Sequence, residues 1–224
     1  MSRPGRRLAG LVAVLALSTC GGDEPLGEFV PEPMVWGSCG DLLVSIDGEL
    51  ECGWLEVPVD HADPGGGTID IAVARLPTAA ENRIGALVLN PGGPGGSGLE
   101  FLQWFGPFVA DTDLLDGFDL VSFDPRGAGV SAPVRCEDDL DDAWNLLEPG
   151  IEPAEGVARM VDDNEALVAA CLERNGAMVD RVGTNAVARD MDLLRQAMGE
   201  EQVSYLGYSY GTRLGAAYAG LFPD

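Results

Sequence analysis

The chain contains no lysine, and its cationic side chains are few. All 13 basic residues are arginines, set against 37 aspartates and glutamates, which gives a formal net charge of −24 over 224 residues. Such a charge repels polyanions, so nucleic acids and anionic membrane surfaces are excluded as partners. Without lysine the chain also lacks the Gly-Lys-Ser/Thr ending of a nucleotide-phosphate loop.

Histidine and closely spaced cysteines are scarce as well. The chain has one histidine, His61, and five cysteines that form no Cys-x-x-Cys pair. Zinc and haem sites draw on such ligands at short spacing. We therefore expect no metal site, and no other feature of the sequence indicates a cofactor.

The chain has one long apolar run, LAGLVAVLAL, which is about half as long as a membrane-spanning helix. Three arginines precede it, so residues 1–20 have the pattern of an export signal, and we expect an extracellular or cell-envelope protein. The following LSTCGG resembles a bacterial lipobox, which would make Cys20 a lipid-bearing N-terminus; ordinary secretion is the alternative. Residues 21–35 are rich in glycine, proline and acids, which predicts a flexible tether.

Export changes the interpretation of the remaining cysteines, because disulfides form in oxidising compartments. Four cysteines permit three pairings, and four unpaired buried thiols are the alternative. Short loops close at the lowest entropic cost. This favours Cys39 with Cys52 and Cys136 with Cys171, although the sequence alone does not choose.

Apolar runs and helical periodicity alternate along the rest of the chain. LECGWLEVPVD and TIDIAVARL, joined by a turn-rich connector, predict an antiparallel hairpin. IGALVLN, FDLVSFD and VSYLG predict three further strands, and EGVARMVDDNEALVAACLERNG predicts a helix that ends at Gly176. TNAVARDMDLLRQAMG predicts another helix, with Thr184 as its N-cap and Gly199 as its end. The expected fold is an α/β domain with a mostly parallel sheet, and ligands bind at the carboxyl ends of such strands.

One such strand end carries a candidate nucleophile. GYSYG places Ser209 between two glycines, at the junction of the strand VSYLG with an amphipathic segment. A serine in such a strained turn has its hydroxyl lifted clear of the sheet, and the helix behind it supplies unpaired N–H groups. The alternative is a glycine-rich turn with a spectator serine.

A second strand end carries the glycine-rich segment LNPGGPGGSG. Glycines let backbone amides approach a substrate carbonyl closely, as an oxyanion hole requires. The N–H groups of Gly93 and Tyr210 are the candidate donors. A phosphate-binding loop is the rival interpretation, but the lysine that it requires is absent.

Taken together, the segments ECGWLEVPVDHADPGGGTIDIAVAR, LVLNPGGPGGSG, FDLVSFDPRGAGVSAPVRC and VSYLGYSYGTRLGAAYAGLFPD resemble the N-terminal half of secreted tripeptidyl aminopeptidases. These enzymes belong to the proline iminopeptidase branch of the α/β-hydrolase fold. The resemblance implies a serine peptidase that removes short peptides from free N-termini, with peptides as its substrate partners. It also implies that Asp124 and Arg126, in DPRGAGVS, support the site structurally. An esterase or lipase on the same scaffold is the alternative.

The sequence departs from this family pattern in one respect. In α/β hydrolases the acid and the histidine follow the serine, whereas the 15 residues after Ser209 contain no histidine. His61, in the hairpin connector, lies four strand spacings away, roughly 19 Å, and is expected to be a surface turn residue. We therefore expect residues 36–224 to be an incomplete, inactive half of the domain. A non-catalytic surface lipoprotein is the other possibility, and nothing indicates the oligomeric state.

Overall fold

The computed structural model describes residues 29–40, 42, 50–109, 112–136 and 153–223. The expected signal segment with Cys20 lies outside them. In the described part, six strands and five α-helices are present, with one 3-10 helix at Gly176–Arg181. The strands are β1 (Gly37–Ser38), β2 (Glu51–Pro58), β3 (Thr68–Leu76), β4 (Gly85–Asn90), β5 (Phe118–Phe123) and β6 (Ser204–Gly207). The helices are α1 (Gly98–Val109), α2 (Asp113–Gly117), α3 (Pro153–Asn175), α4 (Thr184–Ala197) and α5 (Tyr210–Leu221).

The strands form one mixed sheet in the order β1-β2-β3-β5-β4-β6. The first three strands pair antiparallel, and β3 pairs antiparallel with β5. The strands β5, β4 and β6 are parallel to one another. The expected α/β class, with a hairpin leading into a parallel section, is confirmed. None of the described helices has the length and apolarity needed to cross a bilayer.

Helices cover both faces of the sheet. On one face, Val73, Val88 and Val121 pack against Met191 and Leu194 of α4 and Leu214 of α5. On the other face, Leu87, Leu89 and Leu120 pack against Leu99 and Leu102 of α1. All six residues of β4 are buried, as expected for a strand covered on both sides.

Three details differ from the sequence-based expectations. Gly183, not Thr184, is the N-cap of α4, and no side chain caps this helix. The segment GSGLEFLQWFGPFV has helical spacing that glycine and proline are expected to break, but the structure has one continuous helix, Gly98–Val109, despite Pro107. Phe29 and Met34, expected within the flexible tether, pack against the core, and the Met34 N–H donates to the Ala197 carbonyl (2.8 Å). The tether prediction is therefore wrong for residues 29–35.

Two disulfides are present. They join Cys39 to Cys52 and Cys136 to Cys171, which is the pairing that short loops favour. The first holds the segment before β2 on that strand. The second ties the C-terminal part of α3 to the segment after β5.

Candidate active site

The two glycine-containing segments singled out in the sequence lie side by side. Asn90, the last residue of β4, is the register partner of Gly207, the last residue of β6. The Tyr208 N–H donates to the Asn90 carbonyl (3.0 Å), which extends the pairing one step past the strands. The segments after β4 and β6 therefore leave the same edge of the sheet in contact with each other.

Ser209 occupies a strained bend between β6 and α5. Its backbone has φ +49° and ψ −121°, a region that residues other than glycine rarely adopt, and the residue is exposed. Within the described part of the chain, its hydroxyl makes no hydrogen bond to another residue. The bend thus presents a free hydroxyl to solvent at the positive end of α5.

Glycines make this bend possible because the backbone passes very close to its neighbours. A Cβ atom at Gly211 would lie 2.6 Å from the Asn90 carbonyl oxygen, and one at Gly207 would lie 2.5 Å from the Gly211 carbonyl. From the other segment, a Cβ at Gly92 would lie 2.5 Å from the Tyr208 carbonyl and 2.8 Å from the Tyr210 nitrogen. Side chains at these positions would force the two segments apart.

The two backbone N–H groups expected to face an oxyanion are those of Gly93 and Tyr210. Gly93 lies in a left-handed conformation (φ +108°), next to Gly92. Among the described residues, neither the Gly93 N–H nor the Tyr210 N–H has a hydrogen-bond acceptor. Free amides in a rigid backbone are what the stabilisation of a developing oxyanion requires.

Asp124, at the end of β5, fixes the geometry of the glycine-rich segment. One carboxylate oxygen accepts hydrogen bonds from the Ser97 hydroxyl (2.7 Å) and the Leu99 N–H (3.3 Å). The other accepts from the Val130 N–H (2.9 Å). Because Asp124 is only 2% exposed, its contacts lie within the protein, in keeping with a supporting role.

Arg126 is also buried, and it forms an ion pair that the sequence did not indicate. Its guanidinium donates to both oxygens of Asp190 in α4 (2.7 and 2.6 Å) and to the carbonyls of Pro58 and Val59. His61 Nε2 lies 2.9 Å from Asp190 and 3.1 Å from Arg126. His61 lies in a turn, as expected, but its side chain packs against this buried ion pair and is largely shielded from solvent. No hydrogen bond joins it to Ser209.

Aromatic side chains lie next to the bend. The ring of Tyr208, 44% exposed, lies 5.6 Å from that of Phe101 and 6.4 Å from that of Phe105, both in α1. Trp104 and Phe108 extend this surface along the helix and are exposed. An apolar surface thus begins at the residue before Ser209.

The structure brings together the segments that carry Ser209, Tyr210 and Gly93. Asp124 follows the neighbouring strand β5, and the roles of these residues remain predictions. Three contributors were missed: Asn90, which also accepts from the Gly92 N–H (3.0 Å), Asp190, and the Thr184 hydroxyl, which lies 2.6 Å from the Tyr210 hydroxyl. Asn90 was detectable, since it directly precedes the glycine-rich segment at a strand end.

A family model described as the alpha/beta hydrolase fold matches residues 85–224. This match covers more than half of the chain, including β4, the glycine-rich segment, the Ser209 bend and α5. The protein belongs to the α/β-hydrolase family.

Known proteins related in sequence agree with this assignment. The chain is 40% identical to the serine protease Hip1 of Mycobacterium tuberculosis over 96% of its length, and 40% identical to the tripeptidyl aminopeptidase of Streptomyces lividans over 78%. It is 41% identical to the carboxylesterase B of Mycobacterium tuberculosis over 79%. The expected resemblance is confirmed. The chain spans 42%, 33% and 35% of these relatives' lengths.

Proposed function

We propose that the whole protein is a serine hydrolase whose nucleophile is the Ser209 hydroxyl. The observation that carries this proposal is the strained, exposed bend at Ser209, with the backbone of Gly92 packed against it. Strain of this kind is retained where the surrounding structure enforces it, and it is common at catalytic nucleophiles. The similarity to a serine protease and a tripeptidyl aminopeptidase supports the same assignment.

The proposed chemistry is acyl transfer. The Ser209 oxygen attacks the substrate carbonyl carbon as its proton passes to a general base, and the carbonyl oxygen becomes an oxyanion. The N–H groups of Gly93 and Tyr210 donate to that oxyanion, and each such donor typically contributes about 3 to 4 kcal/mol. Collapse breaks the scissile bond as the base gives its proton to the departing amine. Water then attacks the acyl-enzyme with the help of the same base, which releases the carboxylic acid product and restores the Ser209 hydroxyl.

We place the general base outside these 224 residues. Their one histidine, His61, lies against the buried Asp190–Arg126 pair, and the relatives are more than twice as long as the matched region. The purified 224-residue chain is expected to show no measurable peptide hydrolysis. Turnover by this chain that Ser209→Ala abolishes would overturn the placement.

Among substrates, we propose peptides with a free N-terminus, in line with the aminopeptidase relative. The carboxylesterase relative favours ester hydrolysis as the second candidate. Three chromogenic substrates separate them on the whole protein: a tripeptide p-nitroanilide, its N-acetylated form and p-nitrophenyl butyrate. An aminopeptidase cleaves the first far faster than the second. Equal cleavage of the first two removes the requirement for a free N-terminus, and turnover of the ester alone removes the peptidase assignment.

We further propose export and anchoring through Cys20. The two disulfides support an oxidising location, and the sequence before residue 20 has the pattern of an export signal. In a bacterial host, metabolic labelling with a fatty-acid probe should mark the wild-type protein and leave Cys20→Ala unlabelled. Labelling of both proteins, or of neither, would contradict anchoring at this residue.

A further inference from the structure

A second polar depression lies beside the candidate active site. It has a volume of about 470 Å³, within the range of sites that hold small molecules. Its walls come from the connector that carries His61, the N-terminal turn of α4 and the first turn of α5, where Arg213 lies. Four arginines line it, and we call it the arginine pocket: Arg126, Arg181, Arg189 and Arg213.

The arginine pocket adjoins the Ser209 bend. Arg213 lies in the first turn of α5, the helix that begins directly after Ser209. The Arg213 guanidinium lies 5.6 Å from the centre of the Tyr210 ring, and the Tyr210 hydroxyl meets Thr184 at the start of α4. A substrate bound at Ser209 can therefore extend into this pocket.

The pocket concentrates positive charge in a chain of formal charge −24. Arg126 is paired with Asp190, and Arg181 with Asp60 (2.8 Å). Arg189 and Arg213 are exposed and form no ion pair within the described part of the chain. One more carboxylate, Asp180, lines the pocket. Arg126 and Asp190 are both buried and neutralise each other. The remaining lining charges are three guanidinium groups and two carboxylates, which leaves one positive charge uncompensated.

We propose that the arginine pocket binds a carboxylate of the peptide substrate. The planar guanidinium fork matches a carboxylate in bidentate geometry, and the uncapped N-terminus of α4 adds a favourable dipole. A dianion such as phosphate is disfavoured because Asp60 and Asp180 remain nearby. The carboxylate belongs either to the peptide's C-terminus or to an Asp or Glu side chain. This assignment rests on the proposed peptidase function.

The test is equilibrium binding to the 224-residue chain by isothermal titration calorimetry. One probe pair, tetra-alanine and its C-terminal amide, tests the terminal carboxylate. A second pair, Ala-Ala-Ala-Glu-amide and Ala-Ala-Ala-Gln-amide, tests a side-chain carboxylate. Inorganic phosphate is the third probe. In one of the two peptide pairs, we expect the carboxylate form to bind at least tenfold more tightly than the amide form. The pair that shows this difference identifies whether the bound carboxylate is terminal or belongs to a side chain.

Variants test whether the preference for acid over neutral peptides arises from the arginine pocket. The double variant R189Q/R213Q should bind acid and neutral peptides equally, whereas R159Q/R174Q, with the same charge change on α3, should keep the wild-type preference. The single variant R213Q should lose part of it. Both pocket residues are exposed, so a thermal unfolding curve like that of the wild type is expected to confirm the fold.

Four outcomes overturn the proposal: equal binding within both probe pairs, no detectable peptide binding, binding of phosphate alone, or an equal loss in R159Q/R174Q. A failure of the proposed function can be distinguished from a failure of this proposal. Ser209→Ala should retain the acid preference because it leaves the arginines in place, whereas it should abolish hydrolysis by the whole protein.

Discussion

At the scale of single residues, the Ser209 bend depends on glycines, which have no side chain. Gly211 is buried where the first turn of α5 crosses the end of β4, and Gly92 faces the same backbone from the other segment. Such contacts leave no space for a methyl group. The requirement for glycine is therefore steric at these positions, in addition to any conformational one.

Gly211→Ala should destabilise the domain. Its Cβ atom would lie 2.6 Å from the Asn90 carbonyl oxygen and 2.9 Å from the Asn90 side-chain oxygen, so the backbone must shift, at a cost of about 1 to 3 kcal/mol. Gly220→Ala, in the same helix, is the control, since nothing lies within 4 Å of its Cβ, and it should be neutral or stabilising. Equal urea midpoints for the two variants would contradict the close approach.

Asp190→Asn should strongly destabilise the domain, because Asp190 is buried. The substitution leaves the buried Arg126 guanidinium uncompensated, which typically costs about 3 to 5 kcal/mol in the free energy of unfolding. Asp60→Asn breaks the more exposed pair with Arg181 and should cost less than about 1 kcal/mol. Chemical denaturation of both variants measures the difference. A loss for Asp190→Asn no larger than that for Asp60→Asn would show that the pair is not structurally important.

At the scale of elements, local pattern decided which parts the sequence could predict. Strands β2 to β6 and helices α3 to α5 carry clear periodicity or apolar runs, and their caps at Gly176 and Gly199 have positive φ as expected. The two-residue β1 and five-residue α2 are too short to leave a periodic signal. The pairing of His61 with Asp190 joins residues 129 positions apart, and no local pattern encodes such a contact.

Because of a contact between β6 and α5, the free energy of unfolding should fall at alkaline pH. Burial raises the pKa of Tyr205, whose hydroxyl donates to the Gly211 carbonyl (2.8 Å). The folded state therefore favours neutral Tyr205. Its contribution is complete below the unfolded pKa of about 10 and is lost as pH rises toward the higher folded value.

Urea denaturation at pH 8 and near pH 11 tests this contribution. Wild type should lose stability between the two, and Tyr205→Phe should lose less. Tyr218, whose pKa burial also raises, supplies the remaining dependence. An identical loss in wild type and variant would rule out Tyr205 as a source.

The protection of helix α3 from proteolysis should depend on the disulfide Cys136–Cys171. Its described side chains are exposed or half-buried, and it is held by Cys136–Cys171 and by hydrogen bonds between Asn175 and the backbone of Arg135. The double variant C136S/C171S should therefore be cleaved by trypsin within α3 much faster than the wild type, while α4 and α5 stay protected. C39S/C52S is the control and should leave cleavage in α3 unchanged. Equal protection of α3 in both variants would show that other contacts hold it.

At the scale of the whole molecule, two surfaces meet at the Ser209 edge of the sheet. The aromatic surface of α1 begins at Tyr208, and the arginine pocket includes Arg213 in the first turn of α5. Composition alone indicated only the acidic excess, because clustering of four arginines depends on how distant segments fold together. The sequence therefore predicted the two segments that meet at this edge, whereas the surfaces around them required the structure.

Covalent labelling of the whole protein with a fluorophosphonate tests directly whether Ser209 is the nucleophile. The serine oxygen forms a bond to phosphorus as fluoride leaves, and peptide mass spectrometry then locates the adduct. We predict a single adduct on Ser209, parallel loss of hydrolysis, and neither labelling nor activity in Ser209→Ala, with a rate loss of roughly 10³-fold or more. An adduct on another residue, or hydrolysis that persists in Ser209→Ala, would contradict the central claim.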